Sequence, residues 1–343
     1  MRKSIRVLLI IASSLVGFGI LCMCLSFALG GADMIFKPKE NSKVTIMSAT
    51  FDEVDVINVK EVSNDVKIIK SEDNQVKVTY GVSDKFSYYL KQVDDTLYVE
   101  YDDFRHWYDY IVVFGKLSEP DLIIEVPEKT LNELNVKCTS GDIEAKSVDS
   151  IVTTLKTHSG FIEVGGNVGD LTATSTSGGV KLNADIEAEC AAVSATSGKL
   201  TLSGNIKGDM IADNTSGGID INELTCINAD IRNTSGKIKG ESLRAETLKA
   251  DNISGGIRLT DVVCTGDMTL EATSGSINLE SVDAENYDLH TTSGSIKAEI
   301  LTSKIYNVKT TSGSEKTPEF DEAAEGVLSA KTTSGNIKIE LAD

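Results

Sequence analysis

The sequence is poor in the residues that most often mark chemistry. It has three histidines, one tryptophan and four prolines in 343 residues. None of its six cysteines forms a CxxC or a Cys/His metal spacing, so a zinc or redox motif is excluded. Cys22 and Cys24 lie in an apolar run, and Cys138, Cys190, Cys226 and Cys264 are scattered. A basic excess is also missing: 52 acidic residues face 33 basic ones, for a net charge of -19. A surface of that sign repels phosphate backbones and argues against nucleic-acid binding. The calcium-binding GGxGxD repeat is absent, and no repeat column is consistently Asp.

Charge is absent from Val7 to Gly31, after the basic tail of Arg2, Lys3 and Arg6. An uncharged run of that length matches the roughly 20 residues a helix needs to cross a bilayer. Residues 7–30 are therefore expected to form one N-terminal transmembrane helix, with 1–6 cytoplasmic and the bulk of the chain extracytoplasmic. The alternative is a cleaved signal, with "ALG" at 28–30 as its small-x-small site. Residues 31–48 read as a stalk, 49–134 as an N-terminal β region or cap, and 135–343 as a repeat domain.

That repeat is the strongest signal in the chain. Ser-Gly recurs with its glycine at Gly141, Gly160, Gly178, Gly198, Gly217, Gly236, Gly255, Gly275, Gly294, Gly313 and Gly335. All gaps are 18–20 residues except a last one of 22. Two residues after each glycine stands Ile, Val or Leu, with Glu315 the sole exception. Apolar residues recur again four residues on, and seven and five residues before the next glycine, with polar residues between. Period-two alternation in a fixed short repeat predicts strands stacked on their own copies. The fold class expected is all-β: a parallel, right-handed β-solenoid of ~19-residue coils.

The repetition also decides what the serine does. A catalytic serine occurs once beside a base, whereas eleven interchangeable serines mark a corner, with glycine expected to supply positive φ and serine to bond nearby backbone. Thr precedes Ser in nine of the eleven copies, which predicts hydroxyl ladders down one edge. No loops interrupt the coils between 141 and 313, so there is no cleft of the kind glycan-cleaving β-helices build. No enzyme activity, cofactor or metal is expected.

"LIIEVPEKTLNELNVKCTSGDIEAKSV" at 122–148, followed by serial TSG-x-I-x-L units, resembles a bacterial "putative adhesin" family of unknown function that includes LiaG-type proteins of envelope-stress operons. The resemblance covers roughly 50–343. It implies a β-solenoid outside the cytoplasmic membrane and carries no catalytic motif. "SNDVKII" at 63–69 reads as a loose copy of the repeat, with Asn64 in the glycine position.

Two stretches depart from the pattern. Eleven of the 19 aromatics lie between Tyr80 and Phe114. Their centre supplies the candidate ligand-binding residues Tyr101, Phe104, Arg105, Trp107, Tyr108 and Tyr110. Aromatics beside charges grip sugar rings or a protein partner; equally, they can cap the first coils and cover their edges. The other departure is 313–335, read as an acidic loop leaving the stack before one last coil at 335–341. Envelope adhesion, with a cell-wall glycan or envelope protein as partner, is the expected function. A regulatory role in an envelope-stress response, through membrane partners, is the alternative; a wall-glycan enzyme is the third reading.

Overall fold

In a computed structural model the described residues are 12, 14–20, 25, 43–105, 120–319 and 321–342. They fall into two units. The larger one, Ile46–Gly81, Tyr88–Asp102 and Pro120–Asp343, is a parallel β-solenoid of about eleven coils. The smaller one takes Met1–Thr45, Val82–Ser87 and Asp103–Glu119. No helix among the described residues is long and apolar enough to cross a membrane. Of the expected span 7–30, residues 12, 14–20 and 25 are described and helical, and the rest lies outside the described residues.

Each coil contributes two strands, and each strand pairs in parallel with its copy in the next coil. The column after the glycines runs in register from Val66 to Ile143, Ile162, Val180, Leu200, Ile219, Ile238 and onward to Ile296. None of its members from Ile143 to Ile296 is more than 1% exposed. β-Branched residues fit this pleated, half-buried surface, which explains their dominance in the column. Cys226 and Cys264 share a column with Ala245 between them, two coils apart, and remain free thiols. Burial pushes both thiols up to about 12, so they are inert packing residues.

Two inward residues three apart cannot both follow a period of two. The chain resolves this with a left-handed residue six positions after the glycine. Ser147, Glu223, Ser242, Asp261 and Ser281 have φ of 51–57° and are followed by the buried Val148, Leu224, Leu243, Val262 and Val282. The extra residue acts as a bulge and turns the third apolar point into the core.

The ends are interleaved. Val327–Ser334 pairs on one side with Asn286–Ser293 and on the other with Ile305–Ser312. Ile337–Leu341 likewise lies between Ile296–Ile300 and Glu315–Lys316. The coil expected to come last is therefore next to last in space, and 305–316 forms the outermost coil. The other end mirrors this. Val56–Glu61 sits between Thr96–Asp103 and Leu131–Cys138. Val66–Lys70 sits between Leu122–Val126 and Ile143–Ala145. An antiparallel strand, Val76–Val82, then closes the far side of Leu122–Val126 through Lys77↔Glu125 and Val78↔Ile124. Thr45–Phe51, partly inside the expected stalk, pairs with that closing strand. Phe86–Val93, within the aromatic-rich stretch that starts at Tyr80, is also a strand.

Candidate functional site

The corner is built by contact, and this corrects the expected reason for its glycine. Among the eleven corner glycines only Gly236, Gly255 and Gly335 have positive φ. What every one of them shares is a carbonyl from the neighbouring coil where a Cβ would stand. A Cβ on Gly160 would lie 1.9 Å from the Gly141 carbonyl oxygen, and one on Gly178 would lie 1.8 Å from that of Gly160. The first member of the column is Asn64, whose carbonyl oxygen lies 1.9 Å from the Cβ position of Gly141. Asn64 therefore does hold the glycine position of the first coil.

The serine is not the buried bonding partner either. All eleven Ser-Gly serines are exposed. The polar work inside the corner falls to the residue three before the glycine. Thr157 Oγ1 donates to the Gly141 carbonyl at 3.2 Å and accepts from Gly160 N–H at 3.1 Å. Ser175 repeats this at 2.9 and 3.0 Å. Asn214 donates through Nδ2 to the Gly198 carbonyl at 2.8 Å and accepts from Gly217 N–H at 3.1 Å. Asn233, Asn252, Thr291 and Thr332 donate to the preceding glycine carbonyl at 2.9 Å. This buried ladder, interrupted only at Ala195 and Ala272, ties coil to coil and satisfies backbone groups that would otherwise be buried unpaired.

At the N-terminal end the same column holds Glu61, opposite Cys138 and 3% exposed. Its Oε1 accepts from the N–H groups of Val62, Ser63 and Asn64 at 2.8, 3.2 and 3.3 Å. Tyr88 donates its hydroxyl to Glu61 Oε2 at 2.5 Å and accepts from Asn64 Nδ2 at 2.9 Å. Burial raises the Glu61 pKa above its ordinary 4.5, against the opposing pull of these hydrogen bonds. A carboxyl with a raised folded pKa burdens the fold once it is ionised. Stability from this group is full below about pH 4.5 and is lost as pH rises through the folded value. Glu61→Gln is expected to be more stable than the wild type at neutral pH, with the gap closing toward pH 4.5. Urea unfolding across that range measures it; a constant difference would refute the assignment.

Tyr88 is also the centre of the described aromatics. Its ring meets Tyr80 and Tyr101 edge to face, each at 5.5 Å between centroids. Tyr101 is thus packed against the core. In the smaller unit Phe104 is 51% exposed and donates its N–H to the Lys85 carbonyl at 2.8 Å, while Arg105 Nη2 pairs with Asp103 at 2.8 Å. Trp107, Tyr108 and Tyr110, with His106, lie outside the described residues. His158 is exposed; His290 stands in register between Glu271 and Lys331. No group of three or more His, Cys, Asp or Glu that could hold a metal occurs among the described residues.

Sequence reasoning missed a lateral feature. On the outer side of the long-strand sheet, four residues before the glycine, Thr174, Ser194, Asp213, Arg232 and Asp251 stand in register. Beside them run the exposed threonines of the Thr-Ser edge and Ile253, 56% exposed. Together they line an open cleft of about 410 Å³. Arg232 pairs with Asp230 and lies 3.9 Å from Asp213, so charge alternates along the stack. Counting the outward column, rather than only the inward ones, is the signal that would have revealed it.

Residues 54–241 and 230–343 match the model of the family described as Toastrack DUF4097. None of the curated proteins matches. Among solved structures the chain is similar to a putative lipid binding protein from Parabacteroides distasonis ATCC 8503, at 13% identity over 88% of this chain and 98% of that one, with a TM-score of 0.37. It is similar as well to a putative adhesin from Bacteroides fragilis NCTC 9343, at 14% identity over 89% and 99% and a TM-score of 0.23. The two family matches together span most of the chain, from the first coil to the C-terminus, and the chain belongs to the Toastrack DUF4097 family.

Proposed function

We propose that this protein is a membrane-anchored, extracytoplasmic adhesion module that binds a cell-envelope glycan or protein through the side of its solenoid and catalyses no reaction. The observation that carries this reading is the lateral cleft. It sets hydroxyls, a carboxylate–guanidinium–carboxylate column and an exposed isoleucine in register on a stiff parallel stack. Such a surface offers donors and acceptors at a fixed repeat to an extended polar ligand. The uncharged run from Val7 to Gly31 behind a basic tail supports the anchor and its orientation. A net charge of -19 favours a neutral or cationic ligand surface.

The test uses the full chain in liposomes, presented with peptidoglycan and teichoic-acid fractions. Saturable binding is expected, reduced at least about tenfold in Arg232→Ala/Asp251→Ala, a loss of roughly 1.4 kcal/mol. Binding lost only in Trp107→Ala/Tyr108→Ala/Tyr110→Ala would move the site to the aromatic segment. No binding by the wild type to any envelope fraction would overturn the reading.

A further inference from the structure

The two ends of the solenoid are not equivalent. At the N-terminal end an antiparallel strand covers Leu122–Val126, and Thr96–Asp103, the outermost strand of the column to which Ile305–Ser312 belongs, is joined to Phe86–Val93 by the two-residue turn at Asp94 and Asp95 as a hairpin, so that end offers no parallel edge for another coil. At the opposite end Ile305–Ser312 pairs only with Val327–Ser334 among the described strands. Its free side faces away from the stack. The N–H of Ile305 is donated inward, to the Gly326 carbonyl at 3.0 Å. Successive residues of a strand turn their backbone groups to opposite sides. The N–H groups of 306, 308 and 310 therefore face the open side. Gly313 lies over the Gly335 carbonyl, so its own carbonyl is the end of the corner ladder. Ile305 is 48% exposed, and Tyr306 and Val308 are only partly buried.

One residue interferes with this edge. Glu315 is the only member of its column that is not apolar, and it belongs to the outermost coil. Instead of turning inward as Ile337 does, it is exposed, and its Oε1 accepts the N–H of Thr310 at 2.6 Å. A carboxylate thus occupies a donor that a further strand would need. The break in the apolar column falls in the outermost coil in space, not the last in sequence, and that is where an end-stop has to be.

We propose that the free edge of Ile305–Ser312 is a strand-pairing surface for a second copy of this chain, and that Glu315 holds it closed. The second copy is the occupant that fits. Because the other end is capped, head-to-tail stacking is blocked, and the free edge can meet only another free edge about a two-fold axis. Antiparallel pairing with Val308 on that axis sets Tyr306 against Thr310 on the inward face. It sets Asn307 against Lys309 on the outward face, so no like charges oppose each other.

Sedimentation velocity of the full chain in mild detergent tests this. Wild type and Glu315→Gln, which keeps the acceptor oxygen, are expected to be monomers. Glu315→Val, and Glu315→Ala should the valine variant misfold, are expected to dimerise with concentration, tightening self-association at least about tenfold. Adding Val308→Pro removes an outward N–H at an edge position where proline is tolerated, and should restore the monomer. Unchanged mass in both Glu315→Val and Glu315→Ala would overturn the proposal. So would association that persists with Val308→Pro. Circular dichroism of each variant confirms that the coils are intact.

Discussion

Gly217→Ala is expected to lose roughly 4 kcal/mol or more of stability, while Gly218→Ala next to it stays within about 1 kcal/mol of the wild type. The two glycines are adjacent in sequence and share the same corner. A Cβ on Gly217 would stand 1.8 Å from the Gly198 carbonyl oxygen and 2.8 Å from Asn214 Nδ2. Both atoms are fixed, one by the backbone ladder and the other by its bond to that same carbonyl. Relief requires opening the spacing between two coils, which strains every hydrogen bond they share. A Cβ on Gly218 meets only the Lys237 carbonyl oxygen at 3.5 Å, an ordinary contact. Urea unfolding followed by far-UV circular dichroism separates the two outcomes. Equal stability of the two variants would refute contact with the neighbouring carbonyl as the reason for glycine at this corner.

Ile238→Asp should be similarly damaging, at about 4 kcal/mol or more. Ile238 is fully buried between Ile219 and Ile257 in register above and below. A carboxylate there finds apolar neighbours in both adjacent coils and in the columns beside it. Lys239→Asp, one residue on and exposed, should move stability by no more than about 0.5 kcal/mol. Because each coil touches only its neighbours, the damage should be local at first. Hydrogen exchange is expected to quicken over 219–264 before the distant coils respond. Uniform quickening along the whole chain would indicate one cooperative unit instead.

How much of this was legible in the sequence follows from which residues share a property. Ile143, Ile162 and Ile219 share hydrophobicity and a period, so the stack and its register could be read directly. The column of Cys138, Thr157, Ser175, Ala195 and Asn214 shares no hydrophobicity. Its polar members share the ability to bridge a glycine carbonyl and a glycine N–H, which only three dimensions reveal. Glu61 belongs to that column and looked like any other acidic residue. The left-handed positions at Ser147, Glu223 and Asp261 were hidden for a related reason: glycine is the expected residue there, and these are not glycine. The interleaved ends were illegible because every coil carries the same pattern and so can stack on any other. Only the gap of 22 residues and the single Glu315 marked the place. At the candidate site, composition picked out the aromatic segment, yet it could not separate Tyr101, packed on Tyr88, from Phe104, which faces solvent. The lateral cleft was missed because its charges alternate in sign and so form no run of one sign along the chain.

The interleaving of the C-terminal coils also imposes an order in time. As the chain is made, 305–316 exists before 327–341, and its columns match those of 286–300 well enough to pair with them directly. That pairing is local and quick, whereas the native partner of 286–300 lies 41 residues on, as Asn286 and Val327 show. The late segment has to enter between two coils that can already hold each other. Glu315 stands where every other coil has Ile, Val or Leu, so 305–316 has one apolar contact fewer to make with any coil it meets. The coil whose column is broken is thus made before its neighbour in the stack and yet lies outside it.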